Sequence, residues 1–505
     1  MAVLLGTVFG SALAQTLILV AVLASLGLGA ARLAAHIGAG IGVGPQLAAL
    51  TAAVWNPLVR DRLLLGQWTI LLGLALLPWT LRACVQLVQK QTGLPRLLSL
   101  LLLAGLGGAN TLAIVSAPVL MVLVVEGCRG KIRLGEVLAS FGVVAGMASV
   151  WAVPALAAGV STAESGVHVF APVADTPLGV VGSLASGGGV WNTAVHSPSR
   201  GVHVVAVISA VLVIVGVGAL ARRAVRQGQL GLVGGVGVPT LLVVLSVIPA
   251  FEPLWSWLVT SIPGGGILRD SQKFMAPWVV AGAVGLALVV SGLRRSLGQV
   301  KGPVTALLVL VPVALSPLLA WGAAGQLDPA RVPESYRLAV DRVNQLPPGD
   351  VAVLPWSQYR RYAWNEDRIS LTLMPRLVDR VVVYDDSLPL RSGRVPGESP
   401  RAASVTRTVD AGGDILAALG EVGVRYVAVE QSSMGSTSQA GPDLNMGEQN
   451  VVIDGPDLVV IDLGGVEHPP QPDTTAATTG WLIFGFVTAV VGIPSVFRRV
   501  LSKPL

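Results

Sequence analysis

Three short polar clusters interrupt an otherwise apolar sequence, and their residue types suit the binding of an anion. The first is Trp55-Asn56-Pro57-Leu58-Val59-Arg60-Asp61-Arg62, followed by Gly66-Gln67-Trp68. Proline after Asn56 breaks a helix, and Arg60 and Arg62 flank the Asp61 carboxylate. Two guanidinium groups so placed can grip a phosphate or pyrophosphate through paired hydrogen bonds. The same residues equally suit an interfacial cap in which both arginines snorkel and pair with Asp61. The second cluster runs Gly264-Gly265-Gly266-Ile267-Leu268-Arg269-Asp270-Ser271-Gln272-Lys273-Phe274. Its glycines permit a tight turn before a helix, and the spacing of Arg269 and Lys273 predicts one shared helical face. A helix start adds backbone donors for an anion. Acids are the usual residues there, so two cations favour a function over a plain cap.

The third cluster, Gly187-Gly188-Gly189-Val190-Trp191-Asn192-Thr193-Ala194-Val195-His196, continues through Ser197, Pro198, Ser199 and Arg200. It closes a long loop, 160–201, that also carries Glu164, His168 and Asp175. Trp191, Asn192 and His196 could line a sugar site; a re-entrant Gly-rich loop packed on the helices is the competing reading. His168 and His196 show no metal-ligand spacing. Farther on, Trp356, Tyr359, Arg360, Arg361, Tyr362, Trp364 and Asn365 interleave aromatics with arginine, which suits a carbohydrate or lipid-headgroup surface, or packing on a membrane interface. No cofactor is expected. A divalent cation at Asp385-Asp386 is the one ion the sequence suggests, against a merely solvated strand end. Walker, dinucleotide-binding, nucleophile-elbow and HExxH patterns are absent.

The elements that must position these groups are membrane helices. Of 505 residues 53% are apolar and only 12% charged, half the charge of an ordinary soluble domain. Apolar runs at about 4–29, 41–55, 63–82, 96–107, 109–126, 134–158, 203–221, 230–248, 274–292, 303–322 and 479–497 predict a polytopic helical protein with about eleven crossings. The runs 41–55 and 96–107 are shorter than an upright crossing needs. One polar block separates the last run from the others, which divides the chain into a helical domain 1–322, an α/β domain 323–478, and a final helix with a short basic tail, 479–505.

Charge sets the orientation. The net charge of +6 splits into −8 for the polar block and +14 for the membrane part. Basic residues therefore crowd beside the membrane, which argues against nucleic acid as a partner. Sixteen of them lie in one alternating set of loops, at Arg32, Arg82-Lys90-Arg96, Arg129-Lys131-Arg133, Arg222-Arg223-Arg226, Arg294-Arg295-Lys301 and Arg498-Arg499-Lys503. The other set holds five, namely Arg60, Arg62, Arg200, Arg269 and Lys273. The positive-inside rule then puts the first set and the carboxyl terminus in the cytoplasm, and the three polar clusters and 323–478 outside. Eleven crossings leave the amino terminus outside, although Met1 opens directly into apolar sequence without a signal-peptide n-region. Either a first helix and external loop precede Met1 in the natural frame, or Arg32 alone holds helix one in this orientation. Cys84 and Cys128 fall at cytoplasmic ends, and the polar block has no cysteine to staple it.

Within the polar block, strands are predicted at 351–356, 381–386, 424–430, 451–454 and 458–463, and helices at 334–344 and 414–421, with Asp414 as a cap. Segments 391–413 and 432–450 read as loops, and 468–479 as a Pro/Thr-rich tail.

The run AVWNPLVRDRLLLGQWTILLGLALLPW, residues 53–79, resembles the NP-x-V-x-(E/D)-R-x-x-x-G-(Q/H)-W signature of bacterial membrane proteins on the GT-C glycosyltransferase scaffold. These include arabinofuranosyltransferase-like and YfhO-like envelope proteins. The run ILRDSQKF, 267–274, is similar to their R-(D/E)-x-x-K-F element, and GVRYVAVE, 423–430, to the end of their external α/β domain. The resemblance implies a multipass protein of the bacterial cell membrane that transfers a sugar from a polyprenyl-phosphate donor on the outer face. It implies that Arg60, Arg62, Arg269 and Lys273 hold the lipid phosphate, with Asn56, Trp191 and His196 completing the substrate site. The catalytic carboxylate of the family follows helix one, where no residue of this chain matches; Asp61 is the carboxylate placed to substitute. Without a base, the chain would instead be a non-catalytic assembly partner of another envelope protein. A transporter or flippase is disfavoured because ionisable groups gather at helix ends, not at mid-depth.

Overall fold

The structure, a computed structural model, describes residues 10–501 except 92, 158–164, 297, 391–392, 432, 436–449 and 465–473. Residues 468–473 of the expected tail and much of the loop 432–450 thus lie outside the described residues, as does Glu164, while residues 475–479 of that tail form the start of the last helix. The chain divides into two compact units, Met1–Asp328 with Thr474–Leu505, and Pro329–Asp473. The last helix, Thr475–Leu501, joins the helical unit, packing on Leu134–Ala157 and Leu94–Leu106.

Among the described residues each of the eleven apolar runs contains helix. Among the described residues eight helices are long and apolar enough to cross a membrane. A ninth span arises if Leu230–Leu245 and Pro249–Thr260, bent by 95°, count together. The two short runs are helices Val43–Val54 and Leu94–Leu106, of 12 and 13 residues. At 1.5 Å per residue these reach about 20 Å, short of a hydrocarbon core of ~30 Å. The protein is therefore a multipass helical membrane protein, and its described residues supply eight or nine spans by length beside the eleven runs of the sequence. Trp68–Val88 and Ser271–Ser296 form its middle, with 83% and 78% of their apolar windows buried. Leu482, Phe486 and Val490 on the last helix are exposed apolar groups suited to lipid contact.

Backbone contact between two helices sets the geometry around the middle. A Cβ added to Gly285 would lie 1.7 Å from the carbonyl oxygen of Gly216, and one added to Gly216 would lie 2.2 Å from that of Gly282. Helices His203–Arg226 and Ala276–Ser296 thus approach as closely as small residues permit. Rigid backbone cannot yield as a side chain would. Gly285→Ala is expected to lower the thermal midpoint of the detergent-solubilised protein by several degrees, reflecting an overpacking cost of about 1–3 kcal/mol. Gly292→Ala, in open space on the same helix, serves as the control and should leave the midpoint unchanged.

In the second unit the five expected strands form one sheet, in the order Val382–Val383, Asp350–Leu354, Val424–Glu430, Leu458–Asp462, Val451–Ile453. The first three run parallel, and the last two pair antiparallel. Alternation along Asp350–Leu354 sends Val351 and Val353 to one face and Ala352 and Leu354 to the other. Helix Glu334–Gln345 covers the first face with Tyr336, Val340 and Val343. Helices Pro400–Asp410 and Ile415–Glu421 cover the second with Val405 and Leu419. Both faces are buried, so the strands read as unbroken apolar runs.

Pro400–Asp410 corrects the loop expected at 391–413. Its signals are Ser399 as N-cap, accepting from the Ala402 amide, Pro400 in the first turn, and the spacing of Ala402, Val405 and Val409. Two small additions, the sheet Ile369–Leu371, Tyr359–Tyr362, Ser433–Gly435 and the hairpin Leu388–Leu390/Gly393–Val395, had no periodic signal.

Candidate functional site

The three polar clusters, far apart in sequence, meet at one end of the helical unit. Asn56 makes the first join. Its side-chain oxygen accepts from the Val59 amide at 3.1 Å, and its nitrogen donates to the Ala53 carbonyl at 2.7 Å. It therefore ties helix Val43–Val54 to the short helix Pro57–Leu64, whose first residue is the proline. Both ends of the amide are taken by backbone, so Asn56 braces the junction between the two helices.

Pro57–Leu64 is buried through residue 63 although it carries three charges. Arg62, fully buried, forks onto Asp270 208 residues away, with N···O distances of 2.5 and 2.9 Å. It also donates to Gln67 at 2.5 Å and to Gln272. Those bonds use its terminal nitrogens, so Arg62 clamps the first two clusters together. Its charge, opposing the effect of burial, holds Asp270 below the usual carboxylate range. Gln272 in turn donates to the Gly188 carbonyl at 3.1 Å, which brings in the third cluster. Arg60 adds a bond to the Val195 carbonyl.

Arg269 and Lys273 do not share a helical face. Two 3-10 segments, Gly265–Leu268 and Ser271–Met275, are separated at Asp270, whose ψ of 77° breaks the helix. Lys273, buried, donates to Asn110 at 2.7 Å. Arg269 instead lies over the Phe170 ring, 4.5 Å from its centroid. Trp191 meets the same ring edge-on at 4.7 Å. Phe170 thus joins two expected site residues that the sequence could not connect. Arg269 is half-buried, and among the described residues it forms no ion pair.

The Gly-rich loop is largely buried from Ser183 to Val190, as a re-entrant loop would be. Gly187 and Gly189 adopt φ of +84° and +82°, a region that suits glycine. Gly188 has no room for a side chain: a Cβ would lie 2.2 Å from the Arg200 guanidinium and 2.3 Å from the Asp175 carboxylate. Arg200 and Asp175 form a buried two-point pair at 2.6 and 2.9 Å. Burial pushes Asp175 up, but Arg200 and Ser183 outweigh it and hold the carboxyl below its ordinary range. His196 donates from Nε2 to the Val190 carbonyl of its own loop at 2.8 Å, and His168 lies 3.6 Å from Glu252. Among the described residues no three His, Cys, Asp or Glu side chains gather as metal ligands.

Asp61 sits within this frame, 1% exposed. One carboxylate oxygen lies 3.5 Å from Arg60, and the other has no hydrogen-bond partner. Burial first, then the negative charge of Asp175, raise Asp61 to about 7 against the pull of Arg200, Arg60 and Arg62. Two neighbouring carboxyls are therefore driven in opposite directions. One is locked as an ion, and the other is poised to exchange a proton near neutral pH.

In the other unit the Arg/aromatic run is not an exposed surface. Arg360 and Tyr362 are fully buried and both bond Glu430. Asp386 accepts from the Glu398 and Ser399 amides at 2.7 and 2.9 Å, and Asp385 from Ser387 at 3.0 Å. The pair thus organises the loop that follows Val382–Val383.

Solved structures of arabinofuranosyltransferase AftD from mycobacteria share this fold. One aligns with a TM-score of 0.55 at 19% identity, covering 92% of this chain and 35% of that one. A mutant form aligns at 0.56 and 17% identity, covering 92% and 36%. The chain spans about a third of the length of those proteins. No protein-family model and no curated protein matches it.

Proposed function

We propose that this chain transfers a sugar from a polyprenyl-phosphate donor to a glycan hydroxyl at the outer face of a bacterial cell membrane. The observation that carries the reading is Asp61, a buried carboxyl with a free oxygen near neutral titration, set among cationic loops on an arabinofuranosyltransferase-like fold. Asp61 would take the proton from the acceptor hydroxyl. The hydroxyl oxygen would then bond to the anomeric carbon as the bond from that carbon to the phosphate oxygen breaks. The polyprenyl phosphate would leave with the bonding electrons, its charge met by Arg269 and Lys273. Phe170 and Trp191 offer faces for the sugar. The positive-inside distribution supports an extracytoplasmic site, with the 323–478 domain on the same side and the carboxyl terminus in the cytoplasm.

A second reading, a non-catalytic partner in envelope assembly, draws on the internal pairing of Arg62 with Asp270 and Arg200 with Asp175. Polyprenyl-phosphoryl arabinofuranose is the donor to test first. Arg269→Ala should weaken binding of a polyprenyl-phosphate analogue by roughly tenfold or more, the worth of a charge-assisted bond, without lowering the thermal midpoint. Unchanged binding would remove Arg269 from the site. Sugar transfer by the wild-type chain separates the enzyme from the assembly partner.

A further inference from the structure

At the far ends of the helices that build the polar site, a second cavity opens. Helices His203–Arg226 and Ser271–Ser296 both start in that site, at His203 and at Ser271-Gln272-Lys273. Their 24 and 26 residues carry their other ends about 35 Å away. There they enclose a cavity of about 340 Å³, together with Gly38 and Ile41 from the first helix and its following turn. That volume is within the range of small-molecule sites.

Its lining divides by chemistry. Arg222, Arg223, Arg226 and Arg295 supply four positive charges, and no carboxylate lines it. Ile41, Ala219, Leu288 and Val289 supply apolar wall. Among the described residues none of the four arginines forms an ion pair, and Arg223 donates only its Nε–H to the Ile37 carbonyl at 3.2 Å. By contrast, Arg129 and Lys131 flank Glu126 at 3.5 and 3.2 Å, and Arg294 beside the cavity donates to the Thr305 hydroxyl at 3.0 Å. Three helix C-termini, those of Ser11–Gly38, His203–Arg226 and Ala276–Ser296, contribute about half a negative charge each, too little to offset four guanidinium ions.

We infer that this cavity binds the phosphate headgroup of an anionic phospholipid. Helix ends lie at the depth where lipid phosphates sit, and guanidinium groups fork onto phosphate oxygens. The apolar wall continues into the exposed faces of Val215, Val225 and Leu293, where the acyl chains would run. The site is separate from the proposed sugar-transfer centre, and neither depends on the other.

The test uses the full chain in nanodiscs of phosphatidylcholine doped with phosphatidylglycerol, with retained lipid counted by native mass spectrometry. Wild type should retain phosphatidylglycerol over phosphatidylcholine by roughly tenfold or more, since each arginine near a lipid surface adds about 1 kcal/mol. Combined Arg222→Gln, Arg226→Gln and Arg295→Gln should erase the preference. Arg226→Gln alone should weaken it partly, which keeps the test informative should the triple variant misfold. Arg129→Gln with Arg133→Gln, at basic positions outside the cavity, should leave it intact. An absent preference in wild type, or equal loss in the control, would overturn the inference. Displacement of the lipid by millimolar inorganic phosphate would also overturn it, assigning the cavity to a soluble anion.

Discussion

Asp61→Asn is expected to reduce sugar transfer by a factor of about 10²–10⁴, the usual contribution of a positioned base, while the lipid donor still binds. Asparagine keeps the shape of the side chain and its neighbours Arg60 and Arg62, so the loss isolates proton transfer. The wild-type rate should rise toward pH 7 and then level, because Asp61 titrates at about 7. Turnover of the variant within tenfold of wild type would exclude Asp61 as the base.

The same residue makes a second, independent signature in stability. Its folded value of about 7 lies above the ordinary 3.8. Between those values the folded protein holds a proton that the unfolded chain has released. Stability should therefore fall as pH rises from about 4 to 7, by up to about 1.4 kcal/mol per unit, and level above 7. Asp61→Asn has no such proton to lose. A thermal midpoint that drifts downward with pH in wild type and not in the variant would confirm the titration without any substrate. Parallel curves would place Asp61 in contact with water.

Glu430→Gln is the change expected to damage the second unit most. Glu430 and Arg360 are both inaccessible to solvent and pair at 2.6 Å. Tyr336 and Tyr362 donate to the same carboxylate at 2.6 and 3.0 Å, and their hydroxyls are pushed up by burial and by Glu430. Arg360 further donates to the Pro355 carbonyl at 2.7 Å and to that of Ser357. Removing the negative charge leaves a buried guanidinium uncompensated, at a cost of about 3–5 kcal/mol. In a unit of this size that is roughly 10 °C in thermal midpoint. Arg360→Met alone should cost a similar amount. In the double variant the two losses should fall well short of additive. Strict additivity, or a loss below about 1 kcal/mol, would show that the pair is hydrated.

Apolar run length, the alternation of basic loops and the strand pattern of the polar block are local properties, and the sequence alone determined them. A run of apolar residues must avoid water wherever it sits, so helices and strands could be placed without knowing their neighbours. Crossing number was less secure, because Val43–Val54 and Leu94–Leu106 satisfy composition but not length. Partnership was beyond reach. Nothing beside Arg62 in the sequence announces its partner Asp270, 208 residues later. Arg360 looked like surface until Glu430 met it inside the sheet unit. Phe170 had no distinguishing neighbour in sequence, yet it links Arg269 to Trp191. Ion pairs and desolvation depend on distances across the fold, and only the tertiary structure decides which charge is satisfied and which, like Asp61, keeps an unpartnered oxygen.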